Sequence, residues 1–271
     1  MQTSQVGKVK GVSAVVISWN VRDALVRCLR SLLSAPVNQV IVVDNGSQDG
    51  TLDKVRHEFG HVQLVTNEDN RGFARAANQG LSAARQPYIL LLNPDAEVKP
   101  GTVERLVACL DAQPGVAAVG PRLLTTSGKV DYRGARRFPT LWGQIADWAG
   151  LTARWPQVAK DLLPNWNHQD SRRVDCLSGA CVMLRREAVD AIGGFDPAYF
   201  LYAEDMDLFL RLRQSGWHLY YCAEAEVIHH GGMASAQAYI AAGVASLASH
   251  HYYFRRYHGR RVAWAYRLSM L

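Results

Sequence analysis

Three stretches decide the architecture: Val12–Ser18 reads VSAVVIS, Gln39–Val43 reads QVIVV and Tyr88–Leu92 reads YILLL. Each is a short, nearly unbroken apolar run rich in β-branched residues. Such runs suit strands buried on both faces, the environment of a parallel sheet covered by crossover helices. The segments between them are longer and amphipathic. They predict helices over Val21–Leu33, Thr51–Phe59, Gly72–Ala84 and Gly101–Ala112, with further strands at Val62–Thr66 and Val116–Val119. The fold class expected is α/β, a Rossmann-like, mostly parallel central sheet flanked by helices.

Beyond this half the periodicity breaks. Thr125–Arg173 holds Pro139, Pro156 and Pro164 together with Trp142, Trp148, Trp155 and Trp166, too aromatic for a solvated tether and expected to be an insertion or lid region. The tryptophans either pack or stack on a ligand. Val174–Leu184 resumes apolar character, Leu208–Gln214 reads as a helix, Trp217–Cys222 as a strand and Ala234–Leu271 as helical. The organisation expected is a half spanning 1–124, a second half spanning 125–233 and a basic, aromatic tail spanning 234–271. With 271 residues, 48% of them hydrophobic, the chain can bury a sizeable core, which excludes disorder. Thirty basic against 24 acidic side chains give a formal charge of +6 and favour anionic partners. The five cysteines form no CxxC pair, so a reducing, cytoplasmic location is expected and neither a disulfide framework nor a structural zinc site is indicated. Met1–Lys8 is polar, and no run of about 18 apolar residues could span a bilayer.

Ligands of open parallel sheets bind beyond the carboxyl ends of the strands. Trp19 and Asn20 follow the first strand, Asp44-Asn45-Gly46-Ser47 closes the second, and Asn93-Pro94-Asp95-Ala96-Glu97 follows YILLL. No GxGxxG turn or GxxxxGK[ST] loop is present to cradle phosphates with backbone N–H groups. A bound phosphate would then need a cation, and Asp95, with Asn93 beside it, can hold Mg²⁺ or Mn²⁺. His229 is a candidate further ligand; His229 and His230 are adjacent on extended chain and point in opposite directions. Glu204, Asp205 and Asp207 open an apolar helix, more acids than complementing the helix dipole requires, and any of them could serve as a general base. From His250 to Leu271 there are five arginines among six large aromatics and no acid, the composition of an anionic membrane or ligand patch, or of a packed terminal helix with a basic outer face.

Taken in order, VVISWN (Val15–Asn20), VVDNGS (Val42–Ser47), NEDNRGFARAANQG (Asn67–Gly80), LNPD (Leu92–Asp95), SGA (Ser178–Ala180), GGFD (Gly193–Asp196) and EDMD (Glu204–Asp207) resemble family 2 glycosyltransferases of the GT-A type, in particular their rhamnosyltransferase-like branch. The resemblance covers Val12 to Gly232. It implies a GT-A fold and an inverting transfer of a sugar, with L-rhamnose from its dTDP-sugar the expected donor and a UDP- or GDP-sugar the alternative. By position, Asn20, Asp44, Asn45, Arg71, Gly72, Asn78 and Asn93 fall on the nucleotide-sugar side and Asp95 on the metal. Ser178, Gly179 and Asp207 fall on the acceptor side, and Asp205, with Glu204 beside it, at the base. Asn93 stands where the family motif ordinarily has an acid, so the site carries one negative charge fewer. The implied acceptor is a saccharide or lipid-diphosphate-linked saccharide of a cell-envelope polysaccharide, with attachment to the inner face of the membrane an option.

Two rivals share some of these features. A sugar nucleotidyltransferase would also hold a metal on carboxylates, but Ser18-Trp19-Asn20 lacks the glycine- and basic-rich phosphate loop it needs. A nucleic-acid-binding module would use the basic tail, yet acids at the strand ends would repel its ligand, so no nucleic acid is expected.

Overall fold

The structure is a computed structural model that describes residues 11–155, 163, 166–233 and 237–270. The polar stretch Met1–Lys8, Pro156 and Pro164 lie outside the described residues, as does the side chain of Trp148. The alternation expected for the first half is present: β1 (Val12–Ser18), α1 (Arg22–Leu33), β2 (Gln39–Asp44), α2 (Thr51–Glu58), β3 (Gln63–Thr66), α3 (Phe73–Ala83) and β4 (Tyr88–Leu92). Then come β5 (Ala96–Val98), α4 (Thr102–Ala112), β6 (Val116–Leu124), β7 (Ala135–Arg136), α5 (Leu141–Trp148) and α6 (Leu151–Arg154). The chain continues with β8 (Arg172–Val174), β9 (Cys176–Leu177), β10 (Cys181–Arg185), α7 (Arg186–Ala191), α8 (Glu204–Gln214), β11 (His218–His229), α9 (Tyr239–His258) and α10 (Arg260–Ser269).

The main sheet runs in the order β3-β2-β1-β4-β10-β6-β11-β5, with β8 added on β11, and β7 pairs with β9 in a separate ribbon. β3, β2, β1 and β4 are mutually parallel; β10 runs against both β4 and β6, and β11 lies parallel to β6. One antiparallel strand in the middle brings the start of β10 to the same edge as the ends of β4, β6 and β11, where the polar residues gather.

Burial explains the unbroken apolar runs. In β1, Val15 and Ile17 enter one core with α3, α7, α8 and the two last helices, while Val12, Ala14 and Val16 enter the other with α1 and α4. Both faces are covered, so both must be apolar, and each fully buried Val, Leu or Ile contributes about 1.5–3 kcal/mol. α1 offers Leu25, Cys28, Leu29 and Leu32 at helical spacing. α3 instead buries Ala74, Ala76, Ala77 and Gly80. These small residues let it lie close on the sheet; a Cβ at Gly80 would come within 2.2 Å of Val15 Cγ1.

Two expectations are corrected, and for the tail the packed alternative is the one present. The segment after Thr125 is more ordered than its composition suggests, containing the helices α5 and α6 and a buried Trp166 that stacks on His168 at 3.9 Å beneath the Arg172 guanidinium. Trp142 and Trp155 are exposed. The strand read as Trp217–Cys222 runs on to His229, because a register shift between Cys222 and Glu226 lets β11 continue along β6. The tail is not simply a basic surface: Tyr253, Phe254, Ala263 and Tyr266 are buried in the core shared with α8.

Candidate active site

Strand order and register assemble the site. β2 ends at Asp44, which pairs with Ser18 at the end of β1. Asp44 is fully buried, and its Oδ1 accepts the Ser47 N–H at 2.9 Å, which fixes the turn. Its Oδ2 and the neighbouring Ser18 Oγ are buried without a hydrogen-bond partner. Buried polar atoms are rarely left unpaired, so these two oxygens are open to a ligand or a water. Ser18 is the last residue of β1 and lies within the VVISWN stretch, with no candidate role attached to it from sequence. Asn20, in the left-handed region at φ 53°, receives the Gln48 N–H on its side-chain oxygen and donates its own N–H to Ser47 Oγ.

The second group forms where β11 meets β5. Their antiparallel register pairs His229 with Ala96 and so brings His229 beside Asp95, with Nε2 and Oδ1 3.4 Å apart. Asn93 Nδ2 approaches the same imidazole nitrogen at 3.5 Å. Burial works against the charge on Asp95, but His229 and the Met233 N–H, 3.2 Å from Oδ2, hold its carboxyl below the usual value. His230 turns the other way, onto Glu97 at 2.8 Å, as adjacent residues of a strand must. No group of three or more His, Cys, Asp or Glu able to hold a metal occurs among the described residues. The donor set fits a divalent cation of the Mg²⁺ or Mn²⁺ kind only as a half-built site: one carboxylate and one imidazole, the remaining positions left to phosphate oxygens and water.

The third group sits at the start of α8. The Ala180 carbonyl accepts the Asn93 N–H at 2.8 Å, which ties the Ser178–Ala180 turn to the end of β4. The N–H of the preceding residue, Gly179, donates to Asp205 Oδ2 at 3.1 Å, and Arg136 Nη2 stands 3.7 Å from the same oxygen. Ser178 Oγ accepts the Ala180 N–H. Asp205 is thus held beside the Asp95 strand end and remains 17% exposed at its side chain. Tyr202 and Ala203, just before α8, both have positive φ (68° and 64°). Left-handed non-glycine residues cost of order 1–3 kcal/mol each and persist where the surroundings impose them, often at functional sites. Arg136 was missed because it lies in a two-residue strand of an aperiodic segment.

Glu204 differs from its neighbour. It is buried, its Oε2 has no partner, and burial together with the charge of Asp205 raises its carboxyl well above the usual range. The folded state therefore keeps a proton that the unfolded chain gives up near 4.5. The stabilisation linked to that proton is complete below the unfolded value and is lost as pH rises through the folded one. Glu204→Gln should remove this loss. The melting-temperature difference between the variant and the wild type should move in the variant's favour from about pH 5 to about pH 9; a difference that stays flat would show that Glu204 is ionised in the folded protein.

Several expected site residues serve the chain itself. Asn45 donates to Asn70 Oδ1 (2.8 Å) and the Gly72 carbonyl (3.3 Å) and accepts from Asn67 Nδ2 and the Arg71 N–H (both 3.1 Å), which exhausts its amide. Gly72, at φ 81°, is required because a Cβ there would meet the Phe200 carbonyl at 2.6 Å. Asn78 pairs both amide atoms with the backbone of Phe195, at 2.8 and 2.9 Å. Asp207 is fully buried among Arg211, Arg256, Tyr199 and Tyr257 and is unavailable to an acceptor. Arg71 is half-exposed and only loosely paired, at 3.5 Å, with Asp69.

Residues 13–193 match the sequence pattern of glycosyl transferase family 2. The chain belongs to that family. It is a glycosyltransferase, and α8, β11 and the last helices lie beyond the matched stretch. This family 2 transferase is 33% identical over 232 residues, 80% of the chain and 75% of the relative, to the N-acetylglucosaminyl-diphospho-decaprenol L-rhamnosyltransferase of Mycobacterium tuberculosis. It is 21% identical to the rhamnosyltransferase WbbL of Escherichia coli, over 81% of the chain and 83% of that protein. Among solved structures, it superposes on the Pyrobaculum calidifontis mannosyltransferase PcManGT, in complex with GDP-Man and Mn²⁺, with a TM-score of 0.63 at 17% identity, covering 97% of this chain and 70% of that one. GalNAc-T7 with UDP, GalNAc and Mn²⁺ gives the same score at 19% identity, covering 82% of this chain and 44% of that one. The shared fold is GT-A.

Proposed function

We propose that the transferase moves L-rhamnose, with inversion, from dTDP-L-rhamnose to a saccharide or lipid-diphosphate-linked saccharide in cell-envelope polysaccharide synthesis. The decisive observation is the convergence on one sheet edge of the unpartnered Asp44 oxygen, the Asp95–His229 pair and Asp205. In this reading 1–124 forms the donor half, with Asp44, Ser18 and the Asn20 turn receiving the nucleoside. Asp95 and His229, with Asn93 beside them, hold Mg²⁺ or Mn²⁺; such an ion neutralises charge developing on the leaving diphosphate. Residues 125–233 bring the acceptor hydroxyl against Asp205. As its oxygen attacks the anomeric carbon from the side opposite the diphosphate, the new C–O bond forms, the old one breaks, and Asp205 takes the hydroxyl proton. The Gly179 N–H and Arg136 hold that carboxylate in place. The choice of rhamnose is supported by the named activity of the Mycobacterium tuberculosis relative.

No helix among the described residues is long and apolar enough to cross a membrane. Five free cysteines suit a cytoplasmic location. The exposed stripe of Arg261, Trp264 and Leu268 on α10 suits an anionic lipid surface on its inner face.

Thermal shift against dTDP, UDP and GDP and their sugars, each with Mn²⁺ and with EDTA, tests the donor assignment through ligand-linked stabilisation. The expected result is a Mn²⁺-dependent rise selective for dTDP compounds; no rise with any nucleotide would refute it. Sedimentation with anionic vesicles at low salt tests the surface, and equal recovery with neutral vesicles would count against it.

A further inference from the structure

The turn that leads into Asp205 is held under constraint. Tyr202 and Ala203, in succession, take left-handed φ of 68° and 64°, a conformation that only glycine enters without cost. Ala203 is buried, and its carbonyl accepts the Asp207 N–H at 3.0 Å. It therefore opens α8 and sets the direction of the first helical turn, in which Asp205 is the second residue. Two carbonyls just ahead of the turn are gripped from outside it. The Phe73 N–H donates to the Phe200 carbonyl at 2.6 Å, and the Ser249 hydroxyl donates to the Leu201 carbonyl at 2.8 Å.

Ser249 is the unexpected partner. A serine inside a helix ordinarily returns its hydroxyl to a carbonyl of its own preceding turn. Ser249, buried within α9, spends its hydroxyl on a carbonyl 48 residues earlier in the chain. Ser249, Tyr253 and Tyr257 recur every fourth residue and so lie along one face of α9. Tyr253 is buried in the same core as Ala203, and the Tyr257 hydroxyl donates to Asp207. That face thus grips the chain on both sides of Asp205, at Leu201 before it and at Asp207 after it. We infer that Ser249 is a positioning residue: its hydroxyl, by holding the Leu201 carbonyl, keeps the Tyr202–Ala203 turn left-handed and so aims Asp205 at the acceptor hydroxyl. This rests on the transferase reading above, in which Asp205 is the base.

The test combines Ser249→Ala, which removes the grip, with Ala203→Gly, which lets the turn form without it. Ser249→Ala should melt within about 5 °C of the wild type and leave the KM for the donor unchanged. Its kcat for transfer from dTDP-L-rhamnose to octyl diphospho-N-acetylglucosamine should fall by about tenfold to a hundredfold, the cost of misplacing a reacting group. Ser249→Thr keeps the hydroxyl and should transfer within about threefold of the wild type. Ser249→Cys, of the same shape but a weaker donor, should show a smaller loss in the same direction and serves if the alanine variant does not fold. Adding Ala203→Gly to Ser249→Ala should recover most of the lost kcat, which a serine that merely packs α9 would not allow. Hydrogen exchange needs no acceptor: the Asp207 amide should exchange about tenfold faster in Ser249→Ala and slow again in the double variant. Unchanged kcat in Ser249→Ala, a loss confined to donor KM, no recovery in the double variant, or equal exchange by wild type and Ser249→Ala would overturn the inference. Asp205→Asn, measured alongside, separates the two readings. If it is as harmless as Ser249→Ala, the assignment of the base has failed; if it is slow while Ser249→Ala is not, the role of Ser249 alone has failed.

Discussion

Asp205→Asn is expected to fold, to keep the Mn²⁺-dependent nucleotide shift, and to transfer sugar more slowly by a factor on the order of 10²–10⁴, the usual worth of a positioned general base. Asparagine has the same shape and retains an oxygen for the Gly179 N–H, which Asp205 Oδ2 accepts at 3.1 Å. What it lacks is a lone pair basic enough to take the hydroxyl proton. Glu204→Gln is the informative partner. Glu204 is more deeply buried and favours its protonated form, so its amide should cost far less than Asp205→Asn does. The measurement is single-turnover transfer by both variants under saturating donor. If Asp205→Asn stays within tenfold of wild type while Glu204→Gln collapses, the base is Glu204.

Asp207→Ala should be the most destabilising single change near the site, by about 3–5 kcal/mol. The carboxylate is fully buried, and Arg211 Nε (2.7 Å) and the Tyr257 hydroxyl (2.6 Å) both donate to it. Arg256 lies 3.7 Å away and also pairs with Asp196, and the Tyr199 hydroxyl is at 3.4 Å. Removing the acid leaves the largely buried Arg211 guanidinium without the charge that justified burying it, while the exposed Arg256 keeps Asp196. The melting temperature should fall by roughly 10 °C, and urea denaturation gives the free energy directly. Tyr257→Phe should lose less, about 1–3 kcal/mol, since only one donor to the carboxylate goes. A loss under about 1 kcal/mol for Asp207→Ala would mean that α9 is not clamped to α8 through this residue. Because Asp205 is two residues away on the same helix, the tail is part of what holds the start of α8 in place.

The first half was legible because its signal is local. VSAVVIS, QVIVV and YILLL had to be strands covered on both faces, and the polar residues that end them had to gather at one edge. Asp44, Asp95 and Asp205 enter the proposed site that way or by resemblance. Asn45 and Asn78 bond to their own chain, and an amide bound to a ligand and an amide bound to neighbouring backbone look alike in sequence. The burial of Asp207 is hidden for a related reason: its partners Arg256 and Tyr257 lie some 50 residues later, and nothing local says that a basic, aromatic tail folds back on an acid. Arg136, in an aperiodic segment, carried no pattern at all.

The sequence by itself determined the class of fold, the edge at which the chemistry sits and the residue types available there, since each depends on periodicity of burial and on the residues directly after a strand. Only the tertiary structure decided which acids are accessible and which are spent. Strand order sets that outcome: the antiparallel β10 brings Gly179 to Asp205, the β11–β5 register brings His229 to Asp95, and the return of α9 buries Asp207. Contacts between residues far apart in the chain are fixed by packing of whole elements, which no local pattern encodes.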